Sequence, residues 1–158
     1  MQDLGQGVGV VSPETLKGVS GLDFMRGLAE GRYPRPPIAM LMGFEGMEVE
    51  HGRVAVFATP GMEHYNPIGT VHGGYGASLL DTCMGCAVHS SLPAGTGYTT
   101  LEFKIHYIRA MTVDTGQVRA EGAVLSSGRR AATAEGKIFD RSGKLLAHGT
   151  TTCLVFPL

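Results

Sequence analysis

The residues best equipped for chemistry lie close together: Asp81 and, ahead of it, the run Asn66-Pro67-Ile68-Gly69-Thr70-Val71-His72-Gly73-Gly74. Asp81 falls within an otherwise apolar segment, near the small residues Ser78 and Gly85. Burying an unpaired carboxylate costs several kcal/mol or forces it to take a proton. Such a residue is either paired structurally or kept for function, and its position alone does not choose between the two. The glycine-rich run adds a second signal. A turn of this kind opening a helix exposes backbone N–H groups and the positive end of the helix dipole. That arrangement suits a developing oxyanion, which acyl transfer must stabilise. Asn66 could add a side-chain donor to the same carbonyl or hold a water, and His72 could fix the turn through its ring nitrogens. The same glycines would also serve an ordinary helix start where backbones pack closely.

Holding these groups requires a helix directly behind the glycines, and residues 74–90 supply one. Ala77, Leu80, Met84, Ala87 and Val88 recur on one face at helical spacing, while Leu79, Cys83 and Cys86 make the opposite side apolar. This helix is therefore expected to be enclosed. Cys83 and Cys86 have redox or metal spacing, but without a second pair they read as small core residues. Strands are expected on both sides of the helix. Met47–Thr59 reads as a hairpin turning at His51-Gly52. Leu101, Phe103, Ile105 and Tyr107 alternate with Glu102, Lys104 and His106 as in a half-buried strand. Val118–Val124 alternates likewise; Ser127-Gly128 turns into Arg130–Phe139, and Arg141-Ser142-Gly143 into Leu145–Phe156. A strand meander around one enclosed helix is an α+β layout.

The N-terminal part is read as an arm, residues 1–34, ahead of a domain spanning 35–158. Residues 1–19 show no periodicity and are expected to be flexible or loosely docked. Gly21–Glu30 is expected to form a short helix capped by Ser20 and ended by Gly31. Pro34, Pro36 and Pro37 are expected to interrupt regular structure.

Composition narrows the function classes. The chain has 158 residues, 43% hydrophobic and 17% charged, with a formal net charge of −1. That suits one globular domain with a sizeable core. The longest basic run is Arg129-Arg130, so no nucleic-acid partner is expected, since phosphate backbones call for a clustered basic face. Met1–Val11 lacks the pattern of a signal peptide and no window approaches a membrane span, so no membrane association is expected. Three cysteines make an odd count, which points to reduced thiols and a cytoplasmic location.

The run Asn66-x5-His72-Gly73-Gly74-x6-Asp81 resembles the signature of hotdog-fold acyl-CoA thioesterases of the phenylacetate-pathway (PaaI-like) type and a related human group. The similarity covers roughly residues 35–156, including the 101–109 strand and the Ser127-Gly128-Arg129-Arg130 turn. The resemblance implies a hotdog fold, in which a long helix is wrapped by a curved antiparallel sheet. It implies hydrolysis of an acyl-CoA, aromatic or medium-chain, without metal or cofactor. Asp81 would be the nucleophile or general base. The Gly73 amide would bind the carbonyl oxygen, assisted by His72 and Asn66, with Gly74 also against the substrate. Thr100, with Thr99 next, would orient water or Asp81. A related group carries a hydroxyl residue where this chain has Gly85, which leaves that role to the threonines. Arg129 and Arg130 could meet the phosphates of CoA, which guanidinium groups bind in a bidentate manner. The resemblance further implies a homodimer or homotetramer with sites at the dimer interface. A hotdog hydratase and a non-catalytic acyl-CoA-binding module are the alternative functions.

Overall fold

The computed structural model describes residues 7–158. Three short helices lead in: α1 (Pro13–Gly18), α2 (Gly21–Ala29) and α3 (Pro37–Leu41). The hairpin β1 (Phe44–Glu50) and β2 (Arg53–Ala58) precedes the long helix α4 (Gly73–Ser90). Then follow β3 (Thr96–Tyr107), β4 (Val118–Ser127), β5 (Ala131–Phe139) and β6 (Leu145–Pro157). The six strands form one sheet in the order β1-β2-β4-β5-β6-β3, with every neighbouring pair antiparallel. This is the hotdog arrangement, α+β as expected: the sheet wraps the single long helix.

The helix is held by burial on nearly every side. Leu79, Leu80, Cys83, Met84, Ala87 and Val88 are fully buried against Val54, Val56, Ala120, Ala134 and Ile138. Each of the larger side chains, Leu79, Leu80, Met84 and Val88, stabilises the fold by roughly 1.5–3 kcal/mol relative to exposure. The helix lies unusually close to the sheet because β4 offers a glycine at the contact. A Cβ on Gly122 would stand 2.2 Å from the Cys83 carbonyl oxygen. Any other residue there would push α4 outward. At the far end, buried Ser90 donates to the Ala87 carbonyl (2.8 Å) and accepts from the Gly52 amide (2.8 Å), tying the helix end to the β1–β2 turn.

Two N-terminal expectations need correction. Residues 1–6 lie outside the described residues, but 13–18 form α1 rather than a loose arm. Ser12 accepts from the Thr15 amide as N-cap and Pro13 stands at the first helical position, a start signal that works without periodicity in so short a helix. The preceding strand-like residues are docked, with Gly9 N–H donating to the Arg35 carbonyl (3.0 Å) and Arg35 N–H to that of Gly7 (2.9 Å). Pro37 does not interrupt structure but opens α3, because a first-turn residue needs no N–H. By contrast α2 matches its expectation, capped by Ser20.

β3 also departs from simple alternation. It begins at Thr96 rather than Leu101, and its pairing with β6 slips between Thr100 and Glu102, leaving Leu101 as the extra residue of a β-bulge. It is an edge strand, and its outer rim has no strand neighbour among the described residues. Leu101 is 60% exposed, Phe103 41% and Tyr107 52%, which is a large apolar exposure for one sheet edge.

Candidate active site

The bulge decides what faces the helix. Ile105 lies on the helix side of β3, packed against the core, and Tyr107 reaches α4 from the same side. Simple alternation would give Leu101 that side and Thr100 the other. The extra residue shifts the phase, so Thr100 pairs with buried Cys153 and faces α4. Its hydroxyl donates to Asp81 Oδ1 at 2.8 Å. Thr99 lies on the opposite side, with exposed Leu154 as its cross-strand neighbour, so the structure brings Asp81 and Thr100 together and leaves Thr99 out.

The turn ahead of α4 is built from several local bonds. Asn66 closes its own loop: Oδ1 accepts from the amides of Ile68 (3.0 Å) and Thr70 (3.3 Å), and Nδ2 donates to the Thr70 hydroxyl (3.0 Å). One Nδ2 hydrogen is left over for a ligand. The His72 amide donates to the His64 carbonyl (2.7 Å), and that of Val71 to the Met111 carbonyl (2.9 Å). His64 is pinned in turn, its Nδ1 accepting from Gly61 N–H at 2.8 Å and its ring against Tyr75. His72 is the helix N-cap, and its Nδ1 accepts from the Gly74 amide at 2.8 Å. That bond separates the two glycines. The Gly74 amide is engaged by the protein, whereas the Gly73 amide, first of the helix, has no partner among the described residues. The Gly73 carbonyl accepts from the Tyr107 hydroxyl, and a Cβ at Gly73 would stand 3.3 Å from the Tyr107 ring, a tight fit that the ring would have to yield to.

Arg129 and Arg130 sit exposed on the β4–β5 turn. The Arg130 carbonyl accepts from Val155 N–H (3.0 Å), and Ala132 pairs with Cys153, which pairs with Thr100. Both arginines therefore belong to the Asp81–Thr100 half of the protomer. The Gly73 turn lies at the other end of β3, beside Tyr107.

Sequence reasoning missed two residues here. Tyr107 and Tyr98 act on the site's surroundings through contacts between distant segments, which no local spacing announces. Tyr98 covers Gly85: a Cβ there would lie 2.8 Å from the Tyr98 hydroxyl. Burial holds that hydroxyl well above the ordinary tyrosine range, with Cys86, Cys153 and Asp81 adding to the effect. Burial likewise pushes the Cys86 thiol up to about 12, and the Cys83 thiol is raised too, so neither is an available nucleophile or metal ligand near neutral pH.

With this geometry in place, comparison with known proteins is direct. A family profile described as "Thioesterase superfamily" matches residues 68–147, more than half of the chain. The chain belongs to the thioesterase superfamily. A conserved protein of Pseudomonas aeruginosa is 34% identical, with 76% of this chain and 94% of that one aligned at a TM-score of 0.70. A Streptococcus mutans protein solved bound to acetyl CoA is 25% identical over 72% of this chain and 89% of its own, at a TM-score of 0.65. The Escherichia coli PaaI protein, from the phenylacetic acid degradation operon, shares the fold at 20% identity, covering 87% of this chain and 96% of its own at a TM-score of 0.74. A search of curated proteins finds no match. No helix among the described residues is long and apolar enough to cross a membrane.

Proposed function

We propose that this thioesterase-superfamily chain hydrolyses an acyl-CoA at a site assembled from two copies, with Asp81 as general base and the Gly73 amide as oxyanion donor. The observation that carries the reading is the Thr100–Asp81 hydrogen bond on a helix whose first amide is free. One hydroxyl fixes the carboxylate and occupies Oδ1, which leaves Oδ2 to take a proton from water. The water oxygen then bonds to the thioester carbon while the Gly73 amide stabilises the negative oxygen. Collapse breaks the carbon–sulfur bond, and the departing CoA thiolate takes the proton from Asp81. Asn66, with one amide hydrogen to spare, supports the same carbonyl.

Edge-strand geometry supports the two-copy site. Tyr107 holds Gly73 and Thr100 holds Asp81, both from the exposed rim of β3. Antiparallel pairing of two β3 strands, centred near Lys104 with Leu101 left out as the bulge residue, sets Tyr107 opposite the partner's Thr100. It also covers the exposed apolar rim. Arg129 and Arg130, exposed on the Asp81 half, would meet the CoA phosphates in this reading.

The test is release of free thiol from a panel of aromatic and medium-chain acyl-CoAs by wild type and Asp81→Asn. The variant should fold and melt as wild type yet lose about 10²–10⁴ in kcat. Hydrolysis at wild-type rate by a folded Asp81→Asn would sink the assignment. Acyl-CoA binding by wild type without thiol release would make the chain a binding module instead.

A further inference from the structure

The site has a second hydroxyl whose purpose packing does not explain. Tyr98 stands two residues before Thr100 on β3, on the same helix-facing side, paired with buried Val155. Its ring packs beside His89, centroids 5.4 Å apart, and its hydroxyl lies over Gly85. Phenylalanine would fill that space as well. None of the side-chain hydrogen bonds among the described residues involves the Tyr98 hydroxyl, and burial around it raises its pKa. Tyr98 is half-buried and its hydroxyl is not fully enclosed, so a water can reach it. The chain also places a glycine in the middle of its central helix to make room for it, against helix propensity.

Position supplies the missing partner. Asp81 and Gly85 are four residues apart on one helix face, where neighbouring Cβ positions are about 5–6 Å from each other. The Tyr98 hydroxyl, 2.8 Å from where a Gly85 Cβ would be, thus lies one helical turn along from Asp81, whose Oδ1 is engaged by Thr100. Two O–H···O hydrogen bonds in series span about 5.5 Å, the reach of one bridging water.

We propose that the Tyr98 hydroxyl is a further catalytic group, holding the attacking water against Asp81 Oδ2. Tyr98 donates its hydrogen to one lone pair of the water oxygen, and the water donates a hydrogen to Oδ2. The remaining lone pair is aimed at the thioester carbon. On attack the new carbon–oxygen bond forms, Asp81 takes the proton, and the carbon–sulfur bond breaks; the thiolate then receives that proton. Tyr98 keeps its own throughout, and its depressed acidity secures a donor across the working pH range. This inference rests on Asp81 acting as the general base.

Tyr98→Phe retains the ring and removes only the oxygen. It should lower kcat by about 10–10²-fold, the scale of a misplaced reactant, with KM within about twofold and an unchanged melting temperature. A serine at position 85 would return a hydroxyl to nearly the same place once the large ring is gone. Tyr98→Leu combined with Gly85→Ser should therefore turn over about tenfold faster than Tyr98→Leu alone. Wild-type kcat in Tyr98→Phe, an effect confined to KM, or equal rates with and without the serine would each overturn the assignment. Full activity in Tyr98→Phe beside a crippled Asp81→Asn removes only Tyr98; full activity in both removes the general-base reading itself.

Discussion

The two-copy site makes a quantitative demand that a one-copy site does not. Gly73 and Asp81 both belong to α4, eight residues apart, and at 1.5 Å rise per residue their backbones are separated by about 12 Å. Each must come within about 3 Å of the same thioester group. The Asp81 side chain is already committed to Thr100 on its own β3, so it cannot swing along the helix toward Gly73. Take Asn66→Ala, which damages the turn half, and Asp81→Ala, which damages the carboxylate half. Unfolded, mixed in equal amounts and refolded together, they pair at random, and about half of the dimers contain one of each. In every mixed dimer one site collects both defects and the other collects none. Activity should rise from near zero for either variant alone to roughly a quarter of wild type, half the dimers each having one of two sites intact. The assay is initial thiol release at saturating acyl-CoA, with mixed dimers verified by differently tagged subunits. If tagged mixed dimers form and activity stays at the average of the two parents, the site lies within one protomer and the argument from helix length is wrong.

Two further predictions probe the supports of the site. Tyr107→Phe keeps the ring against Gly73 and Gly76 but removes the donor to the Gly73 carbonyl, so kcat should fall about tenfold as the turn loosens, with the melting temperature nearly held; undiminished kcat would show that the ring alone sets the turn. Burial holds His89 below the usual histidine range, so the unfolded chain binds that proton more readily than the folded one once pH drops below about 6.5. Its contribution is therefore lost stability on acidification and nothing at pH 8. The melting temperature should decline between pH 8 and 5.5, and decline less in His89→Gln; equal slopes would assign the acid sensitivity elsewhere.

The sequence made some of this legible for definable reasons. α4 announces itself because apolar residues surround it on both faces, and β1–β2 because His51-Gly52 interrupts two runs of strand-forming residues. Asp81 stands out as a charge on that apolar helix. What remains hidden is whatever depends on register or on contacts between distant segments. Thr100 faces Asp81 only because Leu101 bulges, and nothing local to Leu101 marks a bulge. Gly73 and Gly74 are indistinguishable as letters, yet the His72 ring engages one amide and leaves the other open. Gly85 reads as a missing hydroxyl until Tyr98, from another strand, is seen above it. α1 is too brief for periodicity and rests on Ser12 and Pro13 alone.

The two halves of the site differ in how far the chain must travel to build them. The turn closes largely on neighbours, with Gly61 to Tyr75 contributing the loop closure, the His64 clasp and the His72 cap, while Tyr107 and Met111 reach it from a distance. The carboxylate half depends on Thr100, whose strand pairs with β6 alone among the described residues, through a pair that links Thr100 to Cys153. Contacts of such sequence separation are the slow ones to form and the first casualties of a shortened chain. The turn is thus the more local half, yet grafting it onto another helix would need substitutes for the Tyr107 hydroxyl and the Met111 carbonyl, and the Asp81 half cannot be moved without the whole sheet. Evolution faces the same asymmetry: loop residues around Asn66 can be exchanged piecemeal, while a single insertion or deletion just before Thr100 would turn its hydroxyl away from Asp81.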